Sequence, residues 1–338
     1  MKILLTGASG FLGGHVLRAC VEAGHQVRAL VRPTSRVDEI RALLDHAAVE
    51  GVQGDLTDPP SLERAAAGCD AAIHTAGLIS LRPEDADLMR RVQVDGTRNV
   101  VAACASAGVK RLVHASTSLL AGISERRGRP FGEHDQIAPD AVQIPYVRTK
   151  AEAERVVRAA AGIDVVILSP GCLFGPGDHY VSSTDIILRA LREEIPMYLE
   201  GGFSFADVRD VAVAFVAALD RGIAGRRYLI GGHDHSIDEV LGLVSSLTGV
   251  KRPKHKLPRG LAMLGGAVAE AISRTDTVTR DAVRMATLFS FVTDEPARRD
   301  LGYAPRPFER TVADTVEWLR AAGYVRMPAA ELRRIRRT

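Results

Sequence analysis

A tyrosine and a lysine four residues apart form the first candidate for chemistry in this sequence. Tyr146 and Lys150 follow Pro145, a residue type that is common in the first turn of a helix. A spacing of four residues places the phenol and the ammonium group on one helical face. A free phenol, with a pKa of about 10, is a poor acid–base group at neutral pH, and a neighbouring cation lowers that pKa. The pair therefore predicts proton transfer by Tyr146 with assistance from Lys150.

A hydroxyl group near the tyrosine would complete such a site. Ser116, Thr117 and Ser118 directly follow a short apolar run that reads as a strand. In an extended chain Ser116 and Ser118 lie on one face, so they cannot act at one point together with Thr117. These residues alone leave the choice of hydroxyl open. His74 and His114, on two predicted strands nearby, are interpreted as buried and hydrogen-bonded rather than as substrate contacts.

A glycine-rich turn stands where the first predicted strand meets the first predicted helix. Its glycines are Gly7, Gly10 and Gly13. In a phosphate-binding turn of this spacing, the first glycine permits the tight bend and the second lets the backbone approach a pyrophosphate. The third lets the helix pack closely on the sheet. The helix N-terminus offers free N–H groups and a partial positive charge to the phosphates. The turn therefore predicts a dinucleotide cofactor.

The residue after the second predicted strand indicates which dinucleotide. Arg32 stands where an acidic residue would bind the adenosine ribose hydroxyls of NAD, and an arginine matches a 2′-phosphate instead. NADP(H) is therefore favoured over NAD(H), with Ser35 and Arg36 close enough to assist. The alternative is that Arg32 is an exposed loop residue. Asp55, after the third strand, could accept a hydrogen bond from the adenine amino group or cap the following turn.

The elements that position these residues alternate between short apolar runs and helical patterns. This alternation predicts an α/β fold of the Rossmann type, a doubly wound parallel sheet with helices on both faces. The predicted strands are Lys2–Thr6, Gln26–Val31, Val49–Gln53, Ala71–Thr75, Arg111–Ala115 and Asp164–Leu168, and the predicted helices are Phe11–Ala23, Arg36–His46, Ser61–Ala67, Asp85–Ala107 and Pro145–Ala161.

Beyond Pro170 the pattern loosens into a smaller, mixed α/β region that we expect to bind substrate. We predict a cofactor domain over 1–170 with a strand and helix from about 207–232, a cap over 171–330 and a basic tail over 331–338. The apolar segment Gly260–Ile272 is shorter than the about 20 residues of a membrane span and is interpreted as a core helix.

Composition excludes several classes of protein. The 338 residues are 46% hydrophobic and 25% charged, which is typical of a globular protein. A net charge of +3 is too small to indicate a nucleic-acid partner. Four scattered cysteines and the lack of a signal-peptide pattern predict a cytoplasmic protein with reduced thiols. The segment His233–His235 is interpreted as a solvent-facing polar loop before an N-cap at Ser236, so no metal site is expected.

Taken together, the motifs resemble the extended short-chain dehydrogenase/reductase superfamily, also called the NAD-dependent epimerase/dehydratase superfamily, in its dihydroflavonol reductase-like branch. The resemblance covers nearly the whole chain. Besides the glycine turn and the Tyr146–Lys150 segment, it is carried by Gly54–Asp58, His74–Gly77, Val94–Thr97, Gly175–Gly177, Asp210–Ala212, Arg298–Tyr303 and Thr315–Trp318.

The resemblance implies a role for each candidate. Tyr146 would be the catalytic acid, Lys150 its assistant, and Thr117 the hydroxyl partner because it lies five residues before Gly122, with Ser116 as the alternative. Gln93 departs from the family, which often has Asn there, and this puts a proton relay through that position in doubt. The predicted cofactor-binding residues are Gly7, Ser9, Gly10, Phe11, Leu12, Arg32, Ser35, Asp55, Leu56, Thr75, Ala76, Gly77, Tyr146, Lys150, Pro170 and Cys172.

The implied activity is NADP(H)-dependent reduction of a ketone or aldehyde, or oxidation of the corresponding alcohol. An apolar cap predicted from Leu173, Phe174, Met197, Leu199 and Phe203 favours a small apolar, aromatic or alicyclic substrate. By resemblance, Phe131, His134, His179, Tyr180, Tyr198 and Phe205 would surround the pocket.

Three alternatives to this activity stay open on the sequence. The first is an NAD-dependent epimerase of nucleotide sugars, in which Arg189 and Arg192 could meet a diphosphate. The others are a 3β-hydroxysteroid dehydrogenase-like enzyme and a non-catalytic NADP-sensing protein. A homodimer through helices 85–107 and 145–161 is also expected, with no nucleic-acid partner and no stable membrane insertion.

Overall fold

Strands and helices alternate through most of this computed structural model, which describes residues 1–137, 144–272, 279–328, 331, 332 and 335. The described strands are β1 Lys2–Thr6, β2 Gln26–Val31, β3 Val49–Gln53, β4 Ala71–His74, β5 Arg111–Ala115, β6 Asp164–Pro170, β7 Cys172–Phe174, β8 Gly202–Asp207, β9 Arg227–Ile230, β10 His233–Ser236 and β11 Phe289–Ser290. The described helices are α1 Phe11–Glu22, α2 Arg41–Leu44, α3 Pro59–Ala66, α4 Ala86–Arg90, α5 Gly96–Ser106, α6 Pro145–Arg158, α7 Asp185–Leu191, α8 Val208–Arg221, α9 Ile237–Thr248, α10 Arg259–Ile272, α11 Arg280–Ala286, α12 Glu295–Leu301 and α13 Phe308–Ala321. Short 3-10 turns lie at Asp38–Ile40, Pro83–Asp85, Ser118–Leu120 and Tyr324–Arg326, and a π-helical turn at Arg91–Asp95.

A parallel sheet occupies the centre of the molecule. Its strands run in the order β3-β2-β1-β4-β5-β6-β9 within the described residues. Helices α1 and α8 pack together on one face, and α3, α5 and α6 cover the other. The strand order reverses between β1 and β4, and a crevice forms outside the carboxyl ends of the strands at such a reversal. The predicted doubly wound Rossmann architecture is confirmed.

A second, smaller sheet lies in the C-terminal region around β8. Strands β7, β10 and β11 each pair with β8. The Phe205 ring packs against Phe174 with centroids 4.7 Å apart and against Phe308 at 5.5 Å. Phe205 and Phe174 are fully buried in this cluster. The prediction that they line a substrate pocket is therefore wrong, because α13 supplies a ring that encloses them.

Two predicted helices differ from the sequence pattern. The segment predicted as Arg36–His46 forms only a 3-10 turn and the single turn α2, in which just Ile40 is buried. So little apolar burial cannot stabilise a longer helix. The helix predicted over Asp85–Ala107 is present as a continuous helical segment from Ala86 to Ser106, with a π-helical turn at Arg91–Asp95 between α4 and α5. The other predicted strands and helices agree with the structure to within a few residues.

The segment His233–Ser236 is a strand, which corrects the prediction of a solvent-facing loop. It pairs antiparallel with β8, and the His235 ring stacks on Phe308 with centroids 4.3 Å apart. A ring nitrogen of His233 lies 2.9 Å from the Arg306 carbonyl oxygen. The predicted N-cap is confirmed, since the Ser236 hydroxyl accepts a hydrogen bond from the Glu239 N–H in a capping box.

The first turns of helix α10, whose side chains are described, do not have the core position that the apolar sequence predicts for this helix. Leu261 is 60% exposed and Leu264 is 62% exposed. Within the described ranges, every helix falls short of the combination of length and hydropathy needed to cross a bilayer. The predicted basic tail lies mostly outside the described residues.

Replacement of Phe205 by Ala tests its assignment to the core. We expect the free energy of unfolding to fall by about 3–5 kcal/mol, because a buried aromatic ring is replaced by a cavity. Val213→Ala, at a side chain that is 60% exposed, should change it by no more than about 0.5 kcal/mol. Chemical denaturation measures both changes. Wild-type stability of the Phe205→Ala protein would contradict the assignment.

Candidate active site

The catalytic candidates meet at the carboxyl end of β5. Thr117 follows this strand and begins the 3-10 turn Ser118–Leu120, where its hydroxyl accepts a hydrogen bond from the Leu119 N–H. Tyr146 lies in the first turn of α6, and its phenol is close enough to the Thr117 hydroxyl to affect its pKa. The structure thus brings Thr117 and Tyr146 together, as the sequence predicts.

Ser116, the alternative hydroxyl, is directed elsewhere. Its side chain donates a hydrogen bond of 2.6 Å to a carboxylate oxygen of Glu154, two turns along α6 from Tyr146. The Ser116 N–H also donates to the Leu168 carbonyl oxygen at 2.7 Å, as part of the pairing between β5 and β6. Of the two hydroxyls, Ser116 is thus directed toward Glu154, and Thr117 is the one that lies beside Tyr146.

The acid–base state of Tyr146 differs from the expectation. Burial raises the pKa of its phenol to about 12, and nearby Cys172 adds to the increase, while the Thr117 hydroxyl opposes it. The predicted lowering by Lys150 is wrong in direction because desolvation of the phenolate is the larger effect. Tyr146 therefore holds its proton at neutral pH, as a proton donor must.

Lys150 is buried behind the tyrosine. Its ammonium donates a hydrogen bond of 2.7 Å to the Ala115 carbonyl oxygen at the end of β5. Burial lowers the pKa of Lys150 to about 8, and the carboxylate of Glu154 opposes this change. Lys150 is therefore mostly cationic at neutral pH but becomes neutral more readily than an exposed lysine.

The glycine turn has the geometry of a phosphate cradle. Gly7 has φ +81°, and a Cβ there would lie 2.6 Å from the Ala76 nitrogen. A Cβ on Gly13 would lie 1.9 Å from the Gly7 carbonyl oxygen, so only glycine allows α1 to approach this closely. Because Gly10 at the N-cap has no side chain, the first N–H groups of α1 stay free for an anion. These residues fit the pyrophosphate of a dinucleotide.

A polar opening continues from the cradle toward Lys150. A Cβ on Gly77 would lie 3.9 Å from the Lys150 ammonium and 3.9 Å from the side-chain oxygen of Gln93. That oxygen is buried and has no hydrogen-bond partner in the described part of the chain, while the Gln93 amide donates to the Leu78 carbonyl oxygen and to Thr149. An unpaired buried acceptor is costly, so it fits a site that a donor of the cofactor occupies.

The opposite end of the cradle carries the residues predicted to select the cofactor. Arg32 is exposed after β2, and its N–H donates to the Ser35 hydroxyl at 3.1 Å. Asp55 caps its own turn by accepting bonds of 2.8 and 2.6 Å from the N–H and hydroxyl of Thr57, which is one of its two predicted roles. Arg36 contacts His179 and Tyr180, so those two residues lie at this end rather than around a substrate.

The other predicted cofactor-binding residues have positions that the strands, the glycine turn and α1 determine. Ser9, Phe11 and Leu12 are half-buried in the turn and the first turn of α1. The Thr75 hydroxyl donates to the Thr6 carbonyl oxygen at 2.8 Å, which joins the ends of β1 and β4. Leu56 is in the core, Ala76 lies against Gly7, Pro170 ends β6, and Cys172 begins β7.

Apolar side chains form a wall around Tyr146. Leu81, Ile123, Phe203 and Met285 are partly buried and pack in one cluster with Tyr146. Of the predicted cap residues, Phe203 is in this wall, whereas Leu173 packs against the Rossmann core and Met197 is 42% exposed.

Sequence reasoning missed Leu81, Met285 and Glu154. Leu81 and Met285 pack against the same buried cluster, and the Thr279 hydroxyl, next to the helix that carries Met285, donates to the Leu81 carbonyl oxygen at 2.7 Å. This contact joins residues 198 positions apart, so it leaves no local signal in the sequence. The repeated four-residue spacing from Tyr146 through Lys150 could have indicated Glu154. His74 is satisfied by Thr6 and Thr97, as expected. Both ring nitrogens of buried His114 are unpaired within the described residues, contrary to expectation.

Comparison with known proteins agrees with this geometry. The sequence profile of the NAD dependent epimerase/dehydratase family matches residues 3–231. A Synechocystis sp. protein named "Putative dihydroflavonol 4-reductase" is 33% identical over 95% of each chain. "Sterol demethylase protein B" of Methylococcus capsulatus is 33% identical over 96% of this chain and 100% of its own. The crystal structure of a protein called gox2253 has a TM-score of 0.83 at 32% identity, and the match covers 95% of this chain and 98% of that one.

Replacement of Gly13 by Ala tests the cradle. We expect NADPH to bind at least tenfold more weakly, because the new methyl group would displace α1 from the Gly7 carbonyl oxygen, and the free energy of unfolding to fall by about 1–3 kcal/mol. Gly14→Ala is the matched control, since a Cβ there would lie 3.4 Å from an Ile40 methyl carbon, an ordinary contact. Fluorescence titration measures binding. Equal affinities of the two variants would refute the cradle assignment.

Proposed function

The chain belongs to the NAD-dependent epimerase/dehydratase family of extended short-chain dehydrogenases/reductases, and from that premise we propose that it is an NADP(H)-dependent reductase of a small apolar ketone or aldehyde. The coarser activity, that of an NAD(P)-dependent oxidoreductase, follows from membership of the family and from its reductase relatives. The observation that supports carbonyl reduction is that the Tyr146 phenol lies close to the Thr117 hydroxyl, beside the buried Lys150.

In the proposed reaction, the hydroxyls of Tyr146 and Thr117 both bind the substrate carbonyl oxygen. A bound nicotinamide cofactor supplies the hydride. Tyr146 donates its proton to the developing alkoxide, and Thr117 continues to hold that oxygen. General acid catalysis of this kind contributes roughly 10²–10⁴-fold in rate, and a second fixed donor adds about 3 kcal/mol of stabilisation.

Lys150 has two tasks in this proposal. Its cation stabilises the tyrosinate left after proton transfer, and the N–H groups that Ala115 does not use are available to ribose hydroxyls next to Gly77. The unpaired Gln93 oxygen lies at the same opening. Because burial raises its pKa, Tyr146 carries its proton at neutral pH, so the group that would protonate the alkoxide is present in its acid form.

The position and charge of Arg32 support a preference for NADP(H). This exposed guanidinium follows β2 without an acidic residue beside it in the sequence, and Ser35 is within hydrogen-bond reach of its backbone. A planar cation of this kind suits a 2′-phosphate. NAD(H) is the alternative, and it would favour an epimerase, which recycles its cofactor within one site.

The apolar wall around Tyr146 supports an apolar substrate. Leu81, Ile123, Phe203 and Met285 present aliphatic and aromatic surface there. A sugar nucleotide needs cations for its diphosphate, and the Nε of Arg192 pairs with Glu194 at 2.9 Å, whereas one terminal nitrogen of its guanidinium has no partner within the described residues. Two relatives are named for ring-containing compounds, the "Putative dihydroflavonol 4-reductase" and the "Sterol demethylase protein B". We therefore favour an aromatic or alicyclic carbonyl compound.

The proposal also includes the organisation of the whole protein. We propose a cofactor domain with a cap, a homodimer formed through the helices of 85–107 and 145–161, and a cytoplasmic location.

A protein that only senses the cofactor would need no proton donor. Loss of the Tyr146 hydroxyl therefore distinguishes such a sensor from an enzyme.

Replacement of Tyr146 by Phe should abolish catalysis but retain the cofactor. We expect kcat for a cyclic or aromatic ketone to fall by roughly 10²–10⁴-fold, while the Kd for NADPH stays within a factor of about three, since no cofactor phosphate contact is removed. Thr117→Ala should reduce kcat and Thr117→Ser should restore most of it. Steady-state kinetics and fluorescence titration measure these values. Undiminished turnover in the Phe variant would exclude Tyr146 as the acid.

Cofactor preference is tested with the purified wild-type protein. We expect NADPH to exchange freely and to bind at least about tenfold more tightly than NADH, a difference of about 1.4 kcal/mol. Arg32→Ala should remove most of that preference with little change in NADH affinity. Calorimetric titration measures all four constants. NAD that stays bound through purification would instead oppose the NADP assignment and favour the epimerase.

A further inference from the structure

Glu154 completes a row of three functional groups along α6. Tyr146, Lys150 and Glu154 are each four residues apart, so their side chains share one helical face. Glu154 is only 4% exposed, which is unusual for a carboxylate without a role in pairing.

The Glu154 carboxylate is fully engaged by neighbours on three elements. One oxygen accepts the 2.6 Å hydrogen bond of Ser116, at the end of β5. The other accepts bonds of 2.7 and 3.0 Å from Arg158, one turn farther along α6. Arg227 of β9 approaches the same oxygen to 3.8 Å, and both partners of this ion pair are 6% exposed. The carboxylate therefore joins α6, β5 and β9 beneath the site.

The histidine, amide and phenol groups that face Lys150 are uncharged, so the negative charge of Glu154 matters for the charge of the lysine. His74 of β4 and His114 of β5 are kept neutral by burial, which lowers the pKa of each. Gln93 of the π turn presents an amide, and Tyr146 is uncharged. Glu154 supplies negative charge on this side, and without it the buried cations of Lys150 and Arg227 would lose a counter-charge, whereas Arg158 is exposed to solvent. Buried charges that lose a partner are strongly destabilised.

We propose that Glu154 is a positioning residue of the active site, which holds Lys150 in its cationic form and fixes the Ser116–Thr117 segment against Tyr146. It acts through Lys150 and Ser116 and does not touch the substrate. The role in turnover rests on the proposed reductase function, but the effect on the charge of Lys150 can be measured by cofactor binding alone.

The test compares Glu154→Gln with Glu152→Gln, a substitution of the same type on the same helix. Glu152 is half-exposed and only approaches Arg90, at 3.8 Å. In the wild type, NADPH affinity measured by fluorescence should weaken as pH rises through about 8, where Lys150 loses its proton. In Glu154→Gln the midpoint of this loss should move at least half a pH unit lower, and kcat should fall at least tenfold. Glu152→Gln should match the wild type.

Further variants separate charge from structure. Glu154→Asp, which keeps the charge, should return the midpoint toward the wild-type value. Ser116→Ala should lower kcat about threefold and also lower the melting temperature, because one oxygen of the buried Glu154 carboxylate loses its donor, and it provides a test should Glu154→Gln not fold. A wild-type midpoint in folded Glu154→Gln, or a wild-type kcat in Ser116→Ala, would overturn the positioning role.

The same data distinguish the two proposals. If the wild type reduces no carbonyl compound but the binding midpoint still shifts in Glu154→Gln, the proposed function fails and the positioning role stands. If the wild type is an active reductase and the midpoint does not shift, the positioning role fails alone.

Discussion

The burial of a cationic lysine beneath the site is the constraint on which the rest of the arrangement depends. Lys150 must find hydrogen bonds and counter-charge inside the protein, because water no longer supplies them. The bond to the Ala115 carbonyl oxygen ties α6 to the end of β5, and this same end of β5 leads directly into Thr117. The meeting of Thr117 with Tyr146 is thus fixed by backbone that the lysine itself holds.

The parts of the fold that depend on local patterns could be predicted. The strands from β1 to β5 are continuous apolar runs or alternate with helices, and the glycine turn combines Gly7 and Gly13, which steric contact requires to be glycine. Tyr146 and Lys150 likewise share a helical face through spacing alone. These features arise within a few residues, so the sequence displays them directly.

The features that were missed depend on partners far away in the chain. Phe203 and Phe205 are equivalent by sequence, yet Phe205 is enclosed by Phe308 whereas Phe203 reaches the wall around Tyr146. His235 is half-buried because the same Phe308 covers it. The pKa of Tyr146 was predicted from its charged neighbour, but the desolvation that dominates is a property of the assembled site. The spacing of residues along the sequence indicates neither which distant ring encloses a side chain nor how strongly the assembled site desolvates a phenol.

The Thr279–Leu81 hydrogen bond has a consequence for how substrate preference can diverge. It brings α11, with Met285, onto the part of the chain that the family profile matches, residues 3–231. Part of the apolar wall around Tyr146 therefore comes from outside the matched residues, on a helix that lies apart from the glycine turn. Substitutions in α11 would change this wall while the glycine turn and α6 stay as they are. If the proposed function holds, exchange of this helix between relatives would alter substrate preference without altering the groups that carry out the reaction.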